Sequence, residues 1–252
     1  MACTDNPVSG KSPEKTWSLT MLYNNIAGEA KLKPAWGLSL WIELEKSAVL
    51  FDTGGDKNIL LDNISSIGLD ISKLKSIIIS HEHWDHVNGI PAVLESHGGK
   101  IPVYVPERSA ATIKSINPDG GITGVDGNQE LHTDIWTTGQ MQATAGLYEQ
   151  SILFSKNDNV YVFTGCSHPG IVKIVEKAKN IFPDHTIELV AGGFHLLDKD
   201  EAQIRTISDQ LKALGVRNLA PSHCTGEQAM SIFREEWGGQ YMPYYLGDTY
   251  HI

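Results

Sequence analysis

Hydrophobic positions along the chain follow two different periods. Short stretches in which apolar and polar residues alternate, or in which β-branched residues follow one another, predict β-strands. One of them contains Ile77-Ile78-Ile79 and is typical of a strand that is buried on both faces. The pattern predicts strands over residues 17–23, 38–44, 48–51, 76–80, 101–105, 151–155, 159–164 and 187–191.

Apolar residues at helical spacing fill much of the sequence between these strands. Pro169 suits the first turn of a helix, and Thr225 with Gln228 three positions on resembles a capping box. The spacing predicts helices over 56–67, from Gly89 to Gly98, near 107–116, after Pro169, over 200–214 and after Thr225.

The order of these elements indicates an α/β fold. Two strand-rich halves, each followed by helices, favour an αββα sandwich. We expect residues 17–252 to form a single domain, preceded by a flexible polar segment over residues 1–16. The pattern is weakest over 106–139, where turn signals such as Asn117-Pro118-Asp119-Gly120-Gly121 predict mobile loops after the helix near 107–116.

The composition indicates a globular protein whose partner is a small molecule. Hydrophobic residues make up 41% and charged residues 20% of the 252 residues, enough apolar material for a core. The formal net charge of −10 argues against nucleic acid as a partner, because phosphate backbones are bound by clustered Lys and Arg. We therefore expect a small-molecule substrate.

The cysteine content and the sequence at the start of the chain indicate where in the cell the protein is expected. Cys3, Cys166 and Cys224 are too few, and odd in number, for a disulfide framework. No apolar run approaches the ~20 residues of a membrane span, and the start lacks the basic and then apolar pattern of a signal peptide. A cytoplasmic location is expected. The alternative is an exported lipoprotein that has lost its signal and is tethered near Cys3.

The clearest chemistry lies in the sequence His-Glu-His-Trp-Asp-His over residues 81–86. Neutral imidazole is the commonest nitrogen ligand of zinc-like metals, and a carboxylate adds a charged oxygen ligand. Side chains alternate in direction along an extended or tightly turned backbone. His81 and His83 should therefore point to one side, while Asp85 and His86 reach a second position nearby. This one hexapeptide can contribute to two metal positions.

Two later histidines are further candidate ligands. A tetrahedral metal centre needs about four donors, so the hexapeptide alone is incomplete. His168 and His223 each follow a predicted strand, where the loops of α/β folds gather. His132 lies in a turn-rich setting and is a weaker candidate.

Several motifs resemble the metallo-β-lactamase superfamily. The His-x-His-x-Asp-His pattern matches its signature, and Asp-Thr-Gly at 52–54 looks like its buried turn. Thr-Gly-Cys-Ser-His at 164–168, Gly-Gly-Phe-His at 192–195 and Pro-Ser-His-Cys at 221–224 resemble one subgroup, the dihydropterin-utilising synthases of methanopterin biosynthesis. The resemblance implies the four-layer αββα sandwich of that superfamily, with a buried Asp52 orienting a ligand histidine.

The resemblance also implies a set of metal ligands. One metal would take His81, His83 and a third histidine, for which His168 is the candidate, and the other would take Asp85, His86 and His223. Cys166 stands where the superfamily usually has a bridging carboxylate. A thiolate there would favour zinc or iron, and the alternative is a small packing residue. The implied cofactor is one or two Zn²⁺ ions, with Fe or Mn as alternatives.

The implied activity is metal-dependent hydrolysis of a small molecule, with phosphorylated and pterin-like compounds as candidate substrates. Asp85 would ligate metal and accept a proton from water, and His195 would contact substrate or shuttle a proton. Phe194, Trp36 and Trp84 are candidates for stacking on a pterin ring. The alternatives are a dihydropterin-utilising synthase that displaces pyrophosphate, a non-catalytic pterin-type binder, and a redox sensor that uses Cys166.

Overall fold

Two β-sheets lie face to face at the centre of the molecule. The computed structural model describes residues 16–118, 120–144 and 146–252. Within these ranges the strands are β1 (Ser18–Asn24), β2 (Leu38–Leu44), β3 (Ser47–Phe51), β4 (Leu74–Ile78), β5 (Pro102–Pro106), β6 (Gly121–Val125), β7 (Gln129–His132), β8 (Ile135–Thr137), β9 (Met141–Gln142), β10 (Tyr148–Glu149), β11 (Ile152–Lys156), β12 (Asn159–Thr164), β13 (Thr186–Gly193), β14 (Asn218–Ser222) and β15 (Thr249–His251).

Each sheet combines antiparallel and parallel pairing. The first sheet has the order β15-β1-β2-β3-β4-β5-β6, the second has the order β14-β13-β12-β11-β8-β7, and β9 pairs with β10 separately. Strands β3 to β6 are parallel in the first sheet, where Phe51 lies opposite Ile78. Strands β12 to β14 are parallel in the second, where Thr164 lies opposite Gly192. Parallel strands end at a common edge, so the loops that follow them gather there.

Helices cover the outer faces of both sheets. Leu60 and Val93 pack in a cluster outside the first sheet, and Val175 packs in a cluster outside the second. Phe51 and Phe163 meet in the core between the sheets. The layers are therefore αββα, which confirms the predicted fold class. The helices are α1 (Lys57–Ile67), α2 (Trp84–Val87), α3 (Ile90–His97), α4 (Ala110–Ile116), α5 (Ile171–Ile181), α6 (Glu201–Ala213) and α7 (Glu227–Trp237).

The loops after the parallel strands carry the residues singled out in the sequence. In the first sheet, β3 ends just before Asp52, and β4 ends shortly before the 81–86 segment. In the second sheet, β12, β13 and β14 end just before Cys166, His195 and His223 respectively. Sheet topology therefore explains how segments far apart in sequence meet in one place.

Some boundaries differ from the prediction. Strand β4 ends at Ile78 and not at Ser80, because the Ser80 amide donates to the Asp52 carboxylate. The predicted 107–116 helix is a 3₁₀ turn followed by α4. The loops expected after it are wrong in part, since β6, β7 and β8 lie there. Exposed polar residues on the edge strands β6 and β7 hide the apolar pattern.

The start of α7 also differs from the prediction. Gly226 precedes the helix, and no side chain caps it, so the capping box expected from Thr225 is wrong. The Thr225 hydroxyl instead accepts from the Phe194 amide at 3.0 Å and donates to the Ser222 carbonyl at 2.7 Å. Thr225 thus ties together the loops after β13 and β14.

Two expectations concern the rest of the chain. The flexible segment over 1–16, which includes Cys3, lies outside the described residues except for Thr16. Among the helices of the part that the structure describes, none is long and apolar enough to cross a bilayer.

Candidate metal centre

Asp52 forms the buried support of the site. Its side chain is fully buried, and its backbone adopts φ = 58°, which turns the chain sharply after β3. One carboxylate oxygen accepts from the Ser80 amide at 2.7 Å. The other accepts from the Ser80 hydroxyl at 2.7 Å and lies 2.7 Å from His86 Nδ1. The carboxylate therefore fixes the His86 ring, with Nδ1 as donor and Nε2 turned towards the cleft.

His81, His83 and His168 form the first group of donors. Their ligand atoms all lie within 4.8 Å of one another. Because the Ser80 hydroxyl donates to Asp52, the His81 Nδ1–H donates to the Ser80 oxygen at 2.9 Å, which leaves His81 Nε2 unprotonated. This Nε2 lies 3.1 Å from His83 Nδ1, so two ring nitrogens converge on one point.

The protonation of this first group suits metal binding. Burial and the neighbouring imidazoles lower the pKa of His81 well below its usual range. Burial and the charge of His195 lower the pKa of His168 to about 3. Both rings are therefore neutral near pH 7, the form that binds metal.

Asp85, His86 and His223 form the second group, again with ligand atoms within 4.8 Å of one another. One Asp85 oxygen lies 3.4 Å from His223 Nε2 and 3.7 Å from His86 Nε2. Burial alone would raise the pKa of Asp85, but the nearby imidazoles of His223 and His86 bring it to about 2. The Asn25 amide oxygen lies 2.9 Å from His223 Nδ1 and accepts its proton, so His223 Nε2 is the acceptor that faces Asp85.

Two histidine nitrogens without hydrogen-bond partners show whether the site suits a metal ion. His168 Nε2 and His223 Nε2 are both buried and have no hydrogen-bond partner among the described residues. Leaving such atoms unpaired is costly unless another species occupies the space between them. Neutral imidazole nitrogens beside an ionised carboxylate are the donors that zinc-class cations prefer. The residues therefore fit a metal centre.

Cys166 lies where the two groups meet. Its Sγ is 3.2 Å from His86 Nε2, and it forms a donor group with His81 and His86. A hydrogen bond with Cys224 and burial raise the pKa of the Cys166 thiol, so a cation is needed to deprotonate it. The position allows a thiolate bridge in place of a carboxylate, as the sequence suggested.

A buried glutamate shapes the loop that carries Cys166. Glu149 accepts from the backbone amides of Cys166, Ser167 and His168 at 2.8, 2.8 and 2.7 Å. Burial raises the pKa of Glu149, and the three amide donors offset part of that effect. Ser167 adopts φ = 62°, so the chain turns sharply between the thiol and His168.

The rim of the centre is open and aromatic. A cleft of about 360 Å³ reaches the donors and has Trp36 and Trp84 in its walls. The ring of Trp36 lies 5.0 Å from that of His223. His195 is exposed and its ring lies 4.3 Å from that of His168. A hydrogen bond to Cys224 raises the pKa of His195.

The structure brings together nearly all the residues that the sequence singled out. His81, His83, Asp85, His86, Cys166, His168, His195 and His223 all lie in the donor groups or the cleft wall. Phe194 does not line this cleft; it is 1% exposed and packs edge-on against Phe233. Its ring therefore packs in the helical core, while Trp36 and Trp84 are the aromatic side chains that line the cleft.

Three supporting residues were missed in the sequence. Ser80 directly precedes the 81–86 segment, and its hydroxyl could have been identified from the sequence as a possible hydrogen-bonding group. Asn25 directly follows β1, and its contact with His223 spans 198 positions. Glu149 lies between the weakly patterned region over 106–139 and the strand predicted over 151–155, and no signal marked it.

Comparison with known proteins assigns the class. Residues 37–223 match the family described as the Metallo-beta-lactamase superfamily, and the chain belongs to that superfamily and is an enzyme of it. The 7,8-dihydropterin-6-methyl-4-(beta-D-ribofuranosyl)-aminobenzene-5'-phosphate synthase of Methanocaldococcus jannaschii is 28% identical, over 81% of this chain and 86% of that protein. Exodeoxyribonuclease WalJ of Streptococcus pneumoniae is 23% identical, over 77% of this chain and 81% of that protein.

Solved structures agree on the fold. Tm1679, described as a metal-dependent hydrolase of the beta-lactamase superfamily, superposes with a TM-score of 0.77 at 24% identity, covering 94% of this chain and 99% of that one. YhfI from Bacillus subtilis gives a TM-score of 0.69 at 13% identity, over 95% of this chain and all of that one (100%). These likenesses confirm the metallo-β-lactamase fold.

Proposed function

We propose that this protein is a metal-dependent hydrolase that acts on a small-molecule substrate by activating water. The observation that carries the proposal is the convergence of two three-donor groups from distant loops on one accessible cleft. The unpaired Nε2 atoms of His168 and His223 add support, since neither has another described partner.

In this proposal each donor group holds one divalent ion. Zn²⁺ is the expected ion, with Fe or Mn as alternatives, and Cys166 adds a sulfur ligand between the groups. A divalent ion bound there supplies Lewis acidity, which polarises a substrate oxygen and makes water acidic enough to attack near neutral pH. The groups are His81, His83 and His168 for one ion, and Asp85, His86 and His223 for the other.

The remaining chemistry falls to the side chains of the cleft. Asp85 is ionised at neutral pH because its pKa is about 2, and it can accept the proton that water loses during attack. His195 is exposed at the rim beside His168, and it is positioned to give a proton to a leaving group. Trp36 and Trp84 can hold a planar part of the substrate.

A second candidate is a dihydropterin-utilising synthase. In that reaction a dihydropterin methyl diphosphate loses pyrophosphate, and the nitrogen of an aromatic amine forms the new bond to the methylene carbon and releases a proton. The similarity to the Methanocaldococcus synthase favours it. The exposed aromatic walls, with Trp36 41% and Trp84 56% exposed, would suit a pterin ring.

A substrate panel with the protein as purified tests these alternatives. It contains bis(p-nitrophenyl) phosphate, a γ-lactone, and a dihydropterin methyl diphosphate with and without 4-aminobenzoate. Turnover of the phosphodiester or the lactone supports the hydrolase. Pyrophosphate release that requires the amine supports the synthase, and pterin binding without product supports a non-catalytic binder.

Paired histidine variants control this panel. His83→Ala removes a proposed ligand and should abolish both bound metal and turnover. His251→Ala is the matched control, because His251 is exposed on β15 and should leave both unchanged. Full activity and unchanged metal content in His83→Ala would refute the metal-dependent mechanism.

A further inference from the structure

A second cavity adjoins the metal cleft. It has a volume of about 580 Å³, and it shares Trp36 and His223 with the cleft. One face of α7 forms its far wall through Glu227, Met230, Ser231 and Arg234, which are spaced as i, i+3, i+4 and i+7. The cavity is therefore a side chamber of the metal site, large enough for part of a small molecule.

Arg234 is the cationic side chain that lines this side chamber. Arg205 pairs with Glu201 at 2.9 Å, and Arg217 pairs with Glu188 at 3.1 Å. Within the described ranges, no carboxylate lies at ion-pair distance from Arg234. Its guanidinium lies over the Tyr241 ring, 5.1 Å from the ring centre. When the flat face of a guanidinium packs on an aromatic ring, the N–H groups around its edge can still donate hydrogen bonds to an oxyanion.

The rest of the side chamber suits an aryl group. Trp36 and Tyr245 are aromatic, and Met230 and Leu197 add apolar surface. Glu227 would repel an anion, but it lies seven residues from Arg234, which is roughly 10 Å along a helix. An anionic group is therefore favoured at the Arg234 end of the chamber.

We propose that this side chamber binds the far end of the substrate, and that the substrate is an elongated molecule with a planar ring and a terminal phosphate-type oxyanion. The inference rests on the proposed function, because the reacting group would lie in the metal cleft. The ring would lie beside Trp36, and the oxyanion would bind Arg234.

Another cavity provides the competing location. It has a volume of about 300 Å³, lies on the side of His168 and His195, and contains Lys173 and Lys199. Lys199 already pairs with Asp198 at 3.0 Å, so its charge is partly neutralised, whereas Lys173 has no ion pair within the described ranges. Variants of Lys173 and Lys199 therefore test whether the oxyanion binds on that side instead.

Calorimetric titration with two nucleotides tests the proposal. Thymidine 5'-monophosphate and thymidine 3',5'-bisphosphate share a planar base and differ by one phosphate. The metal-containing protein should bind the bisphosphate about 10- to 100-fold more tightly, since hydrogen bonds to a charged group are worth about 1.5–3 kcal/mol. Arg234→Gln should bring the two dissociation constants close together, and Arg234→Lys should restore part of the difference.

Matched variants decide where the second phosphate binds. Arg217→Gln removes an arginine that is ion-paired with Glu188, and it should leave the preference intact. Thermal melting confirms that each variant is folded. The proposal would be overturned by no preference in the unaltered protein, by failure to bind either nucleotide, or by an unchanged preference in Arg234→Gln. Loss of the preference in Lys173→Gln or Lys199→Gln would also overturn it. Because binding is measured without turnover, a protein that binds in the expected pattern but hydrolyses nothing refutes the hydrolase and not the chamber.

Discussion

The buried floor of the cleft and its open rim are built in opposite ways. On the floor, His81 and His86 are fully buried, and their Nδ1 atoms contact Ser80 and Asp52 at 2.9 and 2.7 Å. On the rim, Trp36 and Trp84 are 41% and 56% exposed. The floor is thus held by directional hydrogen bonds, while the rim is shaped by packing.

This difference separates two tasks. Metal binding needs donors in a narrow range of positions, and His81, His86 and His223 each have a side-chain partner that orients the ring. Substrate choice needs only a surface of suitable shape and chemistry, and such surfaces change readily. Changes on the floor should therefore remove metal and stability, and changes on the rim should alter substrate affinity alone.

The largest effect is expected from Asp52. Asp52→Ala leaves His86 and Ser80 without their buried acceptor, so the free energy of unfolding should fall by about 3–5 kcal/mol. Asp52→Asn keeps the shape and one acceptor oxygen, and it should mainly weaken metal binding by about 10- to 100-fold. Denaturant unfolding and metal titration measure the two effects. An Asp52→Ala protein with unchanged stability would contradict the role given to the floor.

Cys166 should have the next largest effect. If its thiolate binds metal, Cys166→Ser should weaken zinc binding at least about tenfold. The cobalt-substituted protein should also lose its thiolate-to-metal charge-transfer band. Cys224→Ser tests the neighbouring thiol, because Cys224 is also buried and forms a donor group with Cys166 and His223. Loss of the band only in the Cys224 variant would show that the wrong thiol had been assigned.

The pH dependence of the stability of the metal-free protein tests the protonation states of the buried histidines on the floor. Burial lowers the pKa of His168 to about 3, so stability should fall as pH drops from 6.5 towards 3, where the unfolded chain binds more protons. Burial alone would lower the pKa of His86, but Asp52 raises it to about 9, so stability should also fall as pH rises from 6.5 to 9.

Thermal melting across this range measures the effect. The melting temperature of the metal-free protein should peak near pH 6.5, the usual pKa of histidine. Bound metal needs a deprotonated His86, so metal loading should remove the fall on the alkaline side. A metal-free protein whose melting temperature rises steadily to pH 9 would contradict the pairing of His86 with Asp52.

The smallest effect is expected from Trp84. Because this side chain is 56% exposed, Trp84→Ala should change the free energy of unfolding by less than about 0.5 kcal/mol. The variant should raise KM for a substrate with a planar ring while leaving kcat and bound metal nearly unchanged. A fall in metal content would show that Trp84 supports the metal donors, and it would contradict the assignment of Trp84 to the rim.

The sequence predicted the site residues that lie in recognisable local motifs, but not the residues that support them through distant contacts. The hexapeptide is local, so the side-chain order in residues 81–86 was enough to indicate two donor groups. The buried turn at Asp52 and the late His223 followed from motif resemblance. The supports Asn25 and Glu149 were not predictable, because they act through contacts that depend on the packing of two sheets.

Prediction of the fold from the sequence is limited in a similar way. Buried strands such as β4 and amphipathic helices such as α6 carry strong periodic patterns and were predicted. Edge strands β6 and β7 carry polar residues towards solvent, so their pattern resembles that of a loop. Phe194 illustrates a similar limit, since its neighbours in sequence belong to the site while its ring packs in a core cluster.

Metal content is the most direct test of the central claim, that loops distant in sequence bind a shared metal centre. Mass-spectrometric elemental analysis would be run on protein purified without added metal, beside His223→Ala and the control His251→Ala. We predict up to two transition-metal ions per chain in the unaltered protein and the control, and at least one fewer in His223→Ala. Equal metal content in all three proteins, or none in any, would contradict the account.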